Sequence, residues 1–282
     1  MSETAGVSDS NPVPSTISLP GAGRLVQPST NTSTIPFASP ALNRHARVFL
    51  RSAYDALFAA HGPQKWWPGR SRFEIIVGAI LTQNTSWTNV ERAIRNLREA
   101  ALLSPNAIRR IHFSKLARLL RPSGYYRQKT KTLKSFVNFL YDAHAGSLTR
   151  MLASPTPILR DQLLALRGIG PETADSILLY AGKHPVFVVD AYARRILERH
   201  GHASPKVPYD EIRKLFESSL PVNHRVFNEF HALIVHTGKG YCRKRNPLCS
   251  QCALRTFFPL ATETWPATLP ERPSFEAQSR VL

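Results

Sequence analysis

Cysteine is scarce in this sequence. The 282 residues include three cysteines, Cys242, Cys249 and Cys252, and they stand close together near one end. Such a cluster argues against the disulfide framework of a secreted domain and favours an intracellular protein. The first residues also lack the basic start and apolar centre of a secretory signal. We therefore expect the chain to work inside the cell.

Acidic residues are also few. The sequence has 19 Asp and Glu against 37 Lys and Arg, which gives a formal net charge of +18. This excess predicts a polyanionic partner, either nucleic acid or an anionic membrane surface. Apolar runs of the roughly 18 residues that a spanning helix needs are missing, and the basic residues are spread along the chain. Nucleic acid is therefore favoured, and no membrane partner is expected.

Helical periodicity dominates the middle of the sequence. Residues 1–43, rich in Ser, Thr, Pro, Asn and Gly, are predicted to form a disordered tail, and proline-broken residues 261–282 a second loose tail. Apart from the short run 186–189, no segment resembles a strand. The chain is therefore predicted to be all-α and compact, without internal repeats. The helices predicted from apolar spacing cover 45–62, 72–83, 86–103, 113–121, 128–144, 156–166, 171–182, 191–201, 209–220 and 225–238.

Two glycines and a proline precede one of these predicted helices in the segment LRGIGPETAD. Gly168 and Gly170 allow a positive φ or a close backbone approach, and Pro171 suits a first helical turn. The N–H groups of the turn then point outward together, and the helix dipole adds positive potential. The segment predicts a helix–hairpin–helix that binds a DNA phosphate. An ordinary glycine-containing connection is the alternative.

Asp190 stands between the apolar run 186–189 and an amphipathic predicted helix. One interpretation is an N-cap, which requires only a side-chain oxygen. The other is a carboxylate held near the phosphate-binding turn, where positive charge can develop on a sugar.

Five separated segments of the sequence resemble the endonuclease III family of helix–hairpin–helix DNA glycosylases, over roughly residues 45–258. The segments are LTQNTSW, GYYRQK, LRGIGPETAD, VVDAYARRIL and CRKRNPLCSQCALRTFFP, and they follow one another in the family's order. The resemblance implies two helical domains with a DNA cleft between them. A helical barrel would cover 71–189, and a second, discontinuous domain would join 44–70 to 190–260.

The resemblance also implies roles for particular residues. Asp190 would be the catalytic carboxylate, and Gln83 the wedge that fills the stack when a nucleotide is flipped out. Alternatively, Gln83 caps a helix, and Arg127 and Lys129 belong to a solvated basic face. The hairpin is also a candidate site for a monovalent cation. The residues expected to contact the DNA backbone are Gly168, Ile169, Gly170, Arg127 and Lys129.

One departure from the family concerns strand cleavage. Bifunctional members carry a lysine two residues after the second hairpin glycine, which forms a Schiff base with the sugar. Glu172 occupies that position here, and a carboxylate cannot form an imine. The nearest lysines in sequence, Lys183 and Lys206, do not match the motif. The expected enzyme therefore lacks lyase activity. Glu172 would line the base pocket, or be an acidic first-turn residue favoured by the helix dipole.

A second departure concerns the cysteines. The family pattern Cys-x6-Cys-x2-Cys-x5-Cys supplies four thiolates to a [4Fe–4S] cluster. Cys242, Cys249 and Cys252 keep the first three positions, and Phe258 occupies the fourth. Three thiolates can hold an incomplete cluster, or a metal with help from His236. We expect instead that the loop holds no cluster and that Phe258 packs into the core, so no cofactor is expected.

Tryptophans indicate the substrate. The sequence lacks the lysine of bifunctional members and the fourth cysteine of the cluster loop, and it contains the segments KWWP and LTQNTSW. In these features it resembles the family's monofunctional 3-methyladenine DNA glycosylases. Trp66, Trp67 and Trp87 would form an aromatic pocket for a cationic methylated purine; packing in the core is the alternative. The predicted activity is hydrolytic removal of an alkylated purine, 3-methyladenine above all, from damaged duplex DNA by a monomer. Alternatives are a glycosylase for oxidised pyrimidines or mismatched bases, and a non-catalytic DNA-binding module.

Overall fold

The computed structural model describes residues 40–67 and 69–258, with side chains from Arg44 onward. The described part contains helices and connections and no β-strand, which confirms the all-α prediction. Three 3-10 turns, at Arg121–Ser123, Cys249–Gln251 and Arg255–Phe257, and a π-helical turn, Ile177–Ala181, complete the pattern. The α-helices are α1 (Pro40–His61), α2 (Arg72–Leu81), α3 (Trp87–Glu99), α4 (Pro105–Arg110), α5 (Phe113–Leu119), α6 (Tyr126–His144), α7 (Leu148–Leu152), α8 (Thr156–Leu164), α9 (Pro171–Ser176), α10 (Ala191–Arg199), α11 (Tyr209–Ser219) and α12 (His224–Gly240).

Side-chain caps define where several helices begin. Ser71, Ser104 and Ser147 each accept a hydrogen bond from a backbone N–H three residues later, at 3.1, 3.3 and 3.2 Å. Such caps satisfy N–H groups that have no partner inside the helix. The helices α4 and α7 were not predicted, because six and five residues are too few to show a periodicity. Their serine caps were the signal that the sequence offered.

The described helices belong to one compact unit with two hydrophobic cores. The first core draws its buried residues from between Phe73 and Val186. The second joins α1 to residues from Leu179 onward, and the rings of Phe187 and Phe216 stack at 3.9 Å within it. The predicted division into the domains 71–189 and 44–70 with 190–260 stays a prediction, and the second core includes residues between 179 and 189 that were assigned to the first domain.

The predicted tails fall almost wholly outside the described residues. The helix α1 begins at Pro40, inside the segment 1–43 that was predicted to be disordered. Residues 1–39 and 261–282, which carry the rest of these predictions, are not described. Within the two described ranges, no helix combines the length and apolarity needed to cross a bilayer.

The apolar run 186–189 is an extended connection without a partner strand, so the one strand-like segment is corrected. Two of its backbone donors are taken by side chains of α11 instead. The N–H of Phe187 donates to Glu217 Oε1 at 3.0 Å, and that of Val189 donates to the Tyr209 hydroxyl at 3.2 Å. The connection is thereby fixed directly before Asp190.

Candidate active site and DNA-binding surface

Asp190 begins helix α10 and uses its two carboxylate oxygens differently. Oδ1 accepts hydrogen bonds from the backbone N–H groups of Tyr192 and Ala193, at 2.9 and 2.8 Å. Oδ2 lies 3.6 Å from His231 Nε2, and the side chain is 13% exposed. The two interpretations of Asp190 are therefore compatible, since one oxygen caps the helix and the other faces a neighbouring histidine.

His231 and Tyr180 are site residues that sequence reasoning missed. His231 Nδ1 and the Tyr180 hydroxyl are 2.6 Å apart, and both side chains are buried. Tyr180 lies on the π-helical turn, and π turns in helices are frequent at functional sites. The signal in the sequence was weak, because His231 stands among the apolar residues of α12 and looks like a core histidine.

Glu172 lies in the first turn of α9, close enough to Asp190 for their charges to interact. Water reaches its side chain, yet protein atoms surround most of it. This burial, with a smaller contribution from the negative charge of Asp190, raises the pKa of Glu172 to about 7, and His231 opposes the rise. The structure thus brings the two carboxyl groups of the predicted site together.

The three predicted pocket tryptophans form one aromatic cluster with Tyr180. The ring of Trp67 lies 5.6 Å from that of Trp66, 5.1 Å from that of Trp87 and 4.7 Å from that of Tyr180. Each tryptophan is half-buried. A Cβ atom at Gly78 would stand 3.4 Å from Trp67 and 3.5 Å from Trp87, so this glycine lets α2 approach both rings. The cluster is joined to Asp190 through Tyr180 and His231.

The hairpin is the turn at residues 168–170 between α8 and α9. Gly168 has a φ of +89°, and a Cβ atom there would overlap Thr132 Oγ1 on α6. Ile169 is buried at 4% exposure, whereas Gly168 and Gly170 are exposed. A buried anchor between two exposed glycines leaves backbone surface for a ligand, as an anion-binding turn requires.

Gln83 lies against this hairpin. Its Nε2 donates to the carbonyl of Gly168 and to Thr173 Oγ1, both at 2.9 Å. The side chain therefore bridges the end of α2 and the start of α9. The predicted wedge and the predicted phosphate-binding turn belong to one surface.

The two basic residues predicted to contact DNA differ in position. Arg127 is exposed in the first turn of α6 and has no hydrogen bond or ion pair with any described residue. Lys129 is 2% exposed, and its Nζ donates to the carbonyls of Leu81 and Ser123 at 3.0 and 2.6 Å. Burial lowers the pKa of Lys129 to about 8. The predicted phosphate contact by Lys129 is therefore corrected, because its ammonium group holds two interior carbonyls.

The cysteine loop surrounds a cavity of about 20 Å³, room for roughly one water molecule. Arg199 Nη1 donates to Cys242 Sγ at 3.2 Å. The ring of Phe258 packs 4.9 Å from that of His200. His236, the predicted helper ligand, lies elsewhere, with its ring 4.4 Å from that of His61. The residues lining the cavity include Cys242, Cys249, Cys252, Arg199, His200 and Phe258.

These residues do not fit a four-thiolate cluster. A [4Fe–4S] centre of this type takes four cysteine ligands, and the phenyl ring of Phe258 offers no donor atom at the fourth position. In the part of the chain that the structure describes, no three His, Cys, Asp or Glu side chains are arranged to hold a metal ion.

Comparison with known proteins identifies the family. The model of the HhH-GPD superfamily of base excision DNA repair proteins matches residues 77–221. A protein of Methanocaldococcus jannaschii assigned as a DNA repair glycosylase is 46% identical over 206 residues, 72% of this chain and 93% of its own length. Endonuclease III of Thermotoga maritima is 27% identical over 183 residues, 65% of this chain and 80% of its own length.

Two solved structures give the same result. The 3-methyladenine DNA glycosylase of H. pylori, bound to 1,N6-ethenoadenine, is 31% identical with a TM-score of 0.58, over 69% of this chain and 97% of its own. A non-covalent endonuclease III–DNA complex has a TM-score of 0.64 at 21% identity, over 76% of this chain and 95% of its own, and agrees in fold. The resemblance of the sequence motifs is confirmed: the chain belongs to the HhH-GPD superfamily of base excision DNA repair proteins and is a DNA glycosylase related to endonuclease III.

Proposed function

We propose that this protein is a monofunctional glycosylase that removes an alkylated purine, 3-methyladenine in particular, from duplex DNA. The observation that carries the proposal is the pair of carboxyl groups at the site, Asp190 with a free Oδ2 and Glu172 where bifunctional relatives need a lysine. The 31% identity to the 3-methyladenine DNA glycosylase of H. pylori also supports it.

Asp190 would act on the sugar of the flipped nucleotide. Breaking the N-glycosidic bond gives the sugar oxocarbenium character, as in glycoside hydrolysis. A carboxylate held beside the sugar stabilises that charge and can align or deprotonate the attacking water. Water supplies the oxygen that bonds to the sugar carbon and gives up a proton to the carboxylate or to solvent. The cationic base keeps the electron pair of the broken bond and leaves as a neutral purine. The product is an abasic site in an intact strand.

The aromatic cluster would select the base. A purine methylated at N3 carries positive charge, and it is attracted to the electron-rich faces of Trp66, Trp67 or Trp87. Each such contact is worth about 0.5–2 kcal/mol. Normal bases are neutral and lack this attraction, so the cluster would favour damaged bases that are already weakly bonded to their sugar.

The hairpin and its neighbours would hold the DNA. Exposed backbone at Gly168 and Gly170 suits a phosphate, and Arg127 is free to pair with a second one. Gln83 would leave its bonds to the hairpin and enter the base stack when the nucleotide is extruded. The predicted monovalent cation at the hairpin and the monomeric state remain predictions.

Product analysis tests the substrate and the reaction together. The protein is incubated with duplex DNA that carries methylated purines, oxidised pyrimidines or mismatched bases. The free bases are identified, and strands are examined with and without alkali. We expect free 3-methyladenine, and strand breaks only after alkali. Release of an oxidised pyrimidine or a mismatched base instead would contradict the proposed substrate. Covalent trapping by borohydride would contradict the monofunctional reaction.

We also propose that the cysteine loop holds no iron–sulfur cluster. Support comes from its donor set, in which Phe258 stands at the fourth ligand position and packs against His200. Iron and acid-labile sulfide are measured on protein purified without oxygen. Less than one iron atom in ten molecules is expected, and close to three or four per molecule would contradict the proposal.

A further inference from the structure

Two side chains, Tyr180 and His231, lead from the tryptophans to the proposed catalytic carboxylate, Asp190. Tyr180 packs on Trp67, its hydroxyl contacts His231 Nδ1 at 2.6 Å, and His231 Nε2 faces Asp190 Oδ2 at 3.6 Å. Tyr180 is 6% exposed and His231 5% exposed. Neither residue belongs to the motifs that identify the family in this sequence.

The facing atoms of His231 and Asp190 lack other protein partners. His231 Nε2 is buried and makes no hydrogen bond to any described residue. Oδ1 of Asp190 already accepts two backbone hydrogen bonds, whereas Oδ2 accepts none within the described part. A gap of 3.6 Å is slightly longer than a hydrogen bond. A small side-chain rotation closes it, or one water molecule can contact both atoms.

Tyr180 can determine which nitrogen of His231 carries the hydrogen, because the donor and acceptor at their contact depend on the tautomer of the imidazole. Burial raises the pKa of Tyr180 well above its usual value, so the phenol keeps its proton. The phenol can then donate to Nδ1, which leaves the imidazole hydrogen on Nε2. A neutral imidazole has one donor and one acceptor nitrogen, and its partners decide which is which. The donor of His231 therefore faces the carboxylate.

Glu172 explains why such a donor matters in this chain. In bifunctional relatives a lysine, a cation, occupies this position, whereas here the carboxyl group of Glu172 lies close enough for its charge to interact with that of Asp190. A hydrogen bond to the charged form of a carboxylate stabilises that form. His231 is the side chain that can provide it.

We propose that His231, held by Tyr180, is a positioning residue that donates a hydrogen bond to Asp190 and keeps its Oδ2 directed at the flipped sugar. This inference rests on the proposed role of Asp190. His231 itself need not touch the DNA, and its effect should therefore appear in the rate of base removal rather than in DNA affinity.

The test measures single-turnover excision, DNA affinity and thermal stability for a set of variants. His231→Leu removes the donor, and we expect the excision rate to fall 10- to 100-fold with DNA affinity within twofold. His231→Gln places an amide N–H near the position of Nε2. We expect it to recover at least a third of the decrease in log rate that His231→Leu shows. Tyr180→Phe removes the hydroxyl, and a smaller loss is expected.

His144→Leu is the matched control, because His144 is also buried with an Nε2 that has no described partner. It should lower stability without slowing excision. If His231→Leu is too unstable to purify, His231→Gln and Tyr180→Phe decide the matter alone. Excision by His231→Gln within about 20-fold of the wild type, with a rate below wild type for Tyr180→Phe, supports the inference, and slower excision by His231→Gln overturns it. An unchanged rate in Tyr180→Phe, or a folded His231→Gln as slow as His231→Leu, overturns it.

Asp190→Asn separates this inference from the proposed function. If Asp190→Asn loses excision and His231→Leu keeps the wild-type rate, only the positioning role fails. If Asp190→Asn excises at the wild-type rate, or the wild-type protein excises no base, the proposed function itself fails.

Discussion

At the scale of single residues, Asp190 has a structural and a chemical task. Its Oδ1 caps α10, while Oδ2 remains available. An N-cap requires an oxygen but no charge, whereas stabilising a cationic sugar requires the charge. The two tasks can therefore be separated by substitution.

Asp190→Asn should lower excision by about 10²–10⁴-fold, because the amide caps the helix but carries no charge. Its melting temperature and DNA affinity should stay close to those of the wild type. Asp190→Ala should lose excision and also about 1 kcal/mol of stability with the cap. Ser147→Ala, which removes the cap of α7, is the control that loses stability alone. A fully active Asp190→Asn would mean that the carboxylate has no part in the reaction.

The second residue-scale prediction concerns Glu172, whose pKa in the folded protein is about 7 against 4.5 for an ordinary glutamate. The folded state binds this proton more tightly than the unfolded state. The stability that the group contributes is therefore present below pH 4.5 and is lost as the pH rises through about 7.

Glu172→Gln removes this dependence. The free energy of unfolding of the variant, relative to that of the wild type, should be about 1 kcal/mol greater at pH 8 than at pH 5. The full pKa shift would give a larger difference, which is reduced here because water reaches and screens the group. Urea denaturation at the two pH values measures the difference. The same substitution at exposed Glu99 on α3 controls for the loss of one charge. A gain that is equal at both pH values would argue against the raised pKa.

At the scale of elements, an ion-pair network joins α8, α9 and α11. Arg160 on α8 donates to both oxygens of Asp175 on α9, at 2.7 and 3.2 Å, and to Asp210 on α11 at 2.8 Å. Asp175 is fully buried, and Arg213 lies 3.9 Å from it. The helix that follows the hairpin is thus tied to the helix that holds the segment before Asp190.

Arg160→Met should lower the free energy of unfolding by about 3 kcal/mol, because it removes the nearest cation from a buried carboxylate. Asp175 would keep the Tyr209 hydroxyl and Arg213, which lies 3.9 Å away. Asp175→Asn in the same chain should restore part of the loss, since no uncompensated charge remains. Urea denaturation of both single variants and the double variant measures the coupling. Arg92→Met, at an exposed arginine of α3 without an ion pair among the described residues, should change stability by less than about 0.5 kcal/mol. If the changes in the free energy of unfolding of the two single variants add up to that of the double variant, Arg160 and Asp175 act independently.

At the scale of the whole molecule, the sequence predicted what depends on local pattern. The long helices have sustained apolar periodicity, and Asp190, Glu172 and the hairpin glycines lie in short contiguous motifs. The partnership of Tyr180 and His231 joins residues 51 positions apart and needed the fold. The burial of Lys129 also depends on distant parts of the chain, since one of its carbonyl partners lies 48 positions away. A lysine in a basic segment gives no local sign that its ammonium group turns inward.

This difference between Lys129 and Arg127 leads to the last prediction, which concerns the charge of the whole chain. With a net charge of +18, binding to undamaged duplex should weaken steeply with salt. The slope of log K against log [salt] is about −0.9 per phosphate neutralised. Arg127→Gln should reduce that slope by about one unit, because Arg127 is exposed, has no ion pair among the described residues and is predicted to contact the DNA backbone.

Arg150→Gln removes the same charge at a position beyond the other end of α6. Arg127 lies at the start of α6, and Arg150 follows its end, after 19 helical residues that span roughly 28 Å. Arg150→Gln should leave the slope unchanged within about 0.3. Fluorescence anisotropy over a series of salt concentrations measures both. Equal changes in the two variants would mean that DNA responds to the total charge of the protein and that the surface carrying Arg127, Gln83 and the hairpin has no special place in binding.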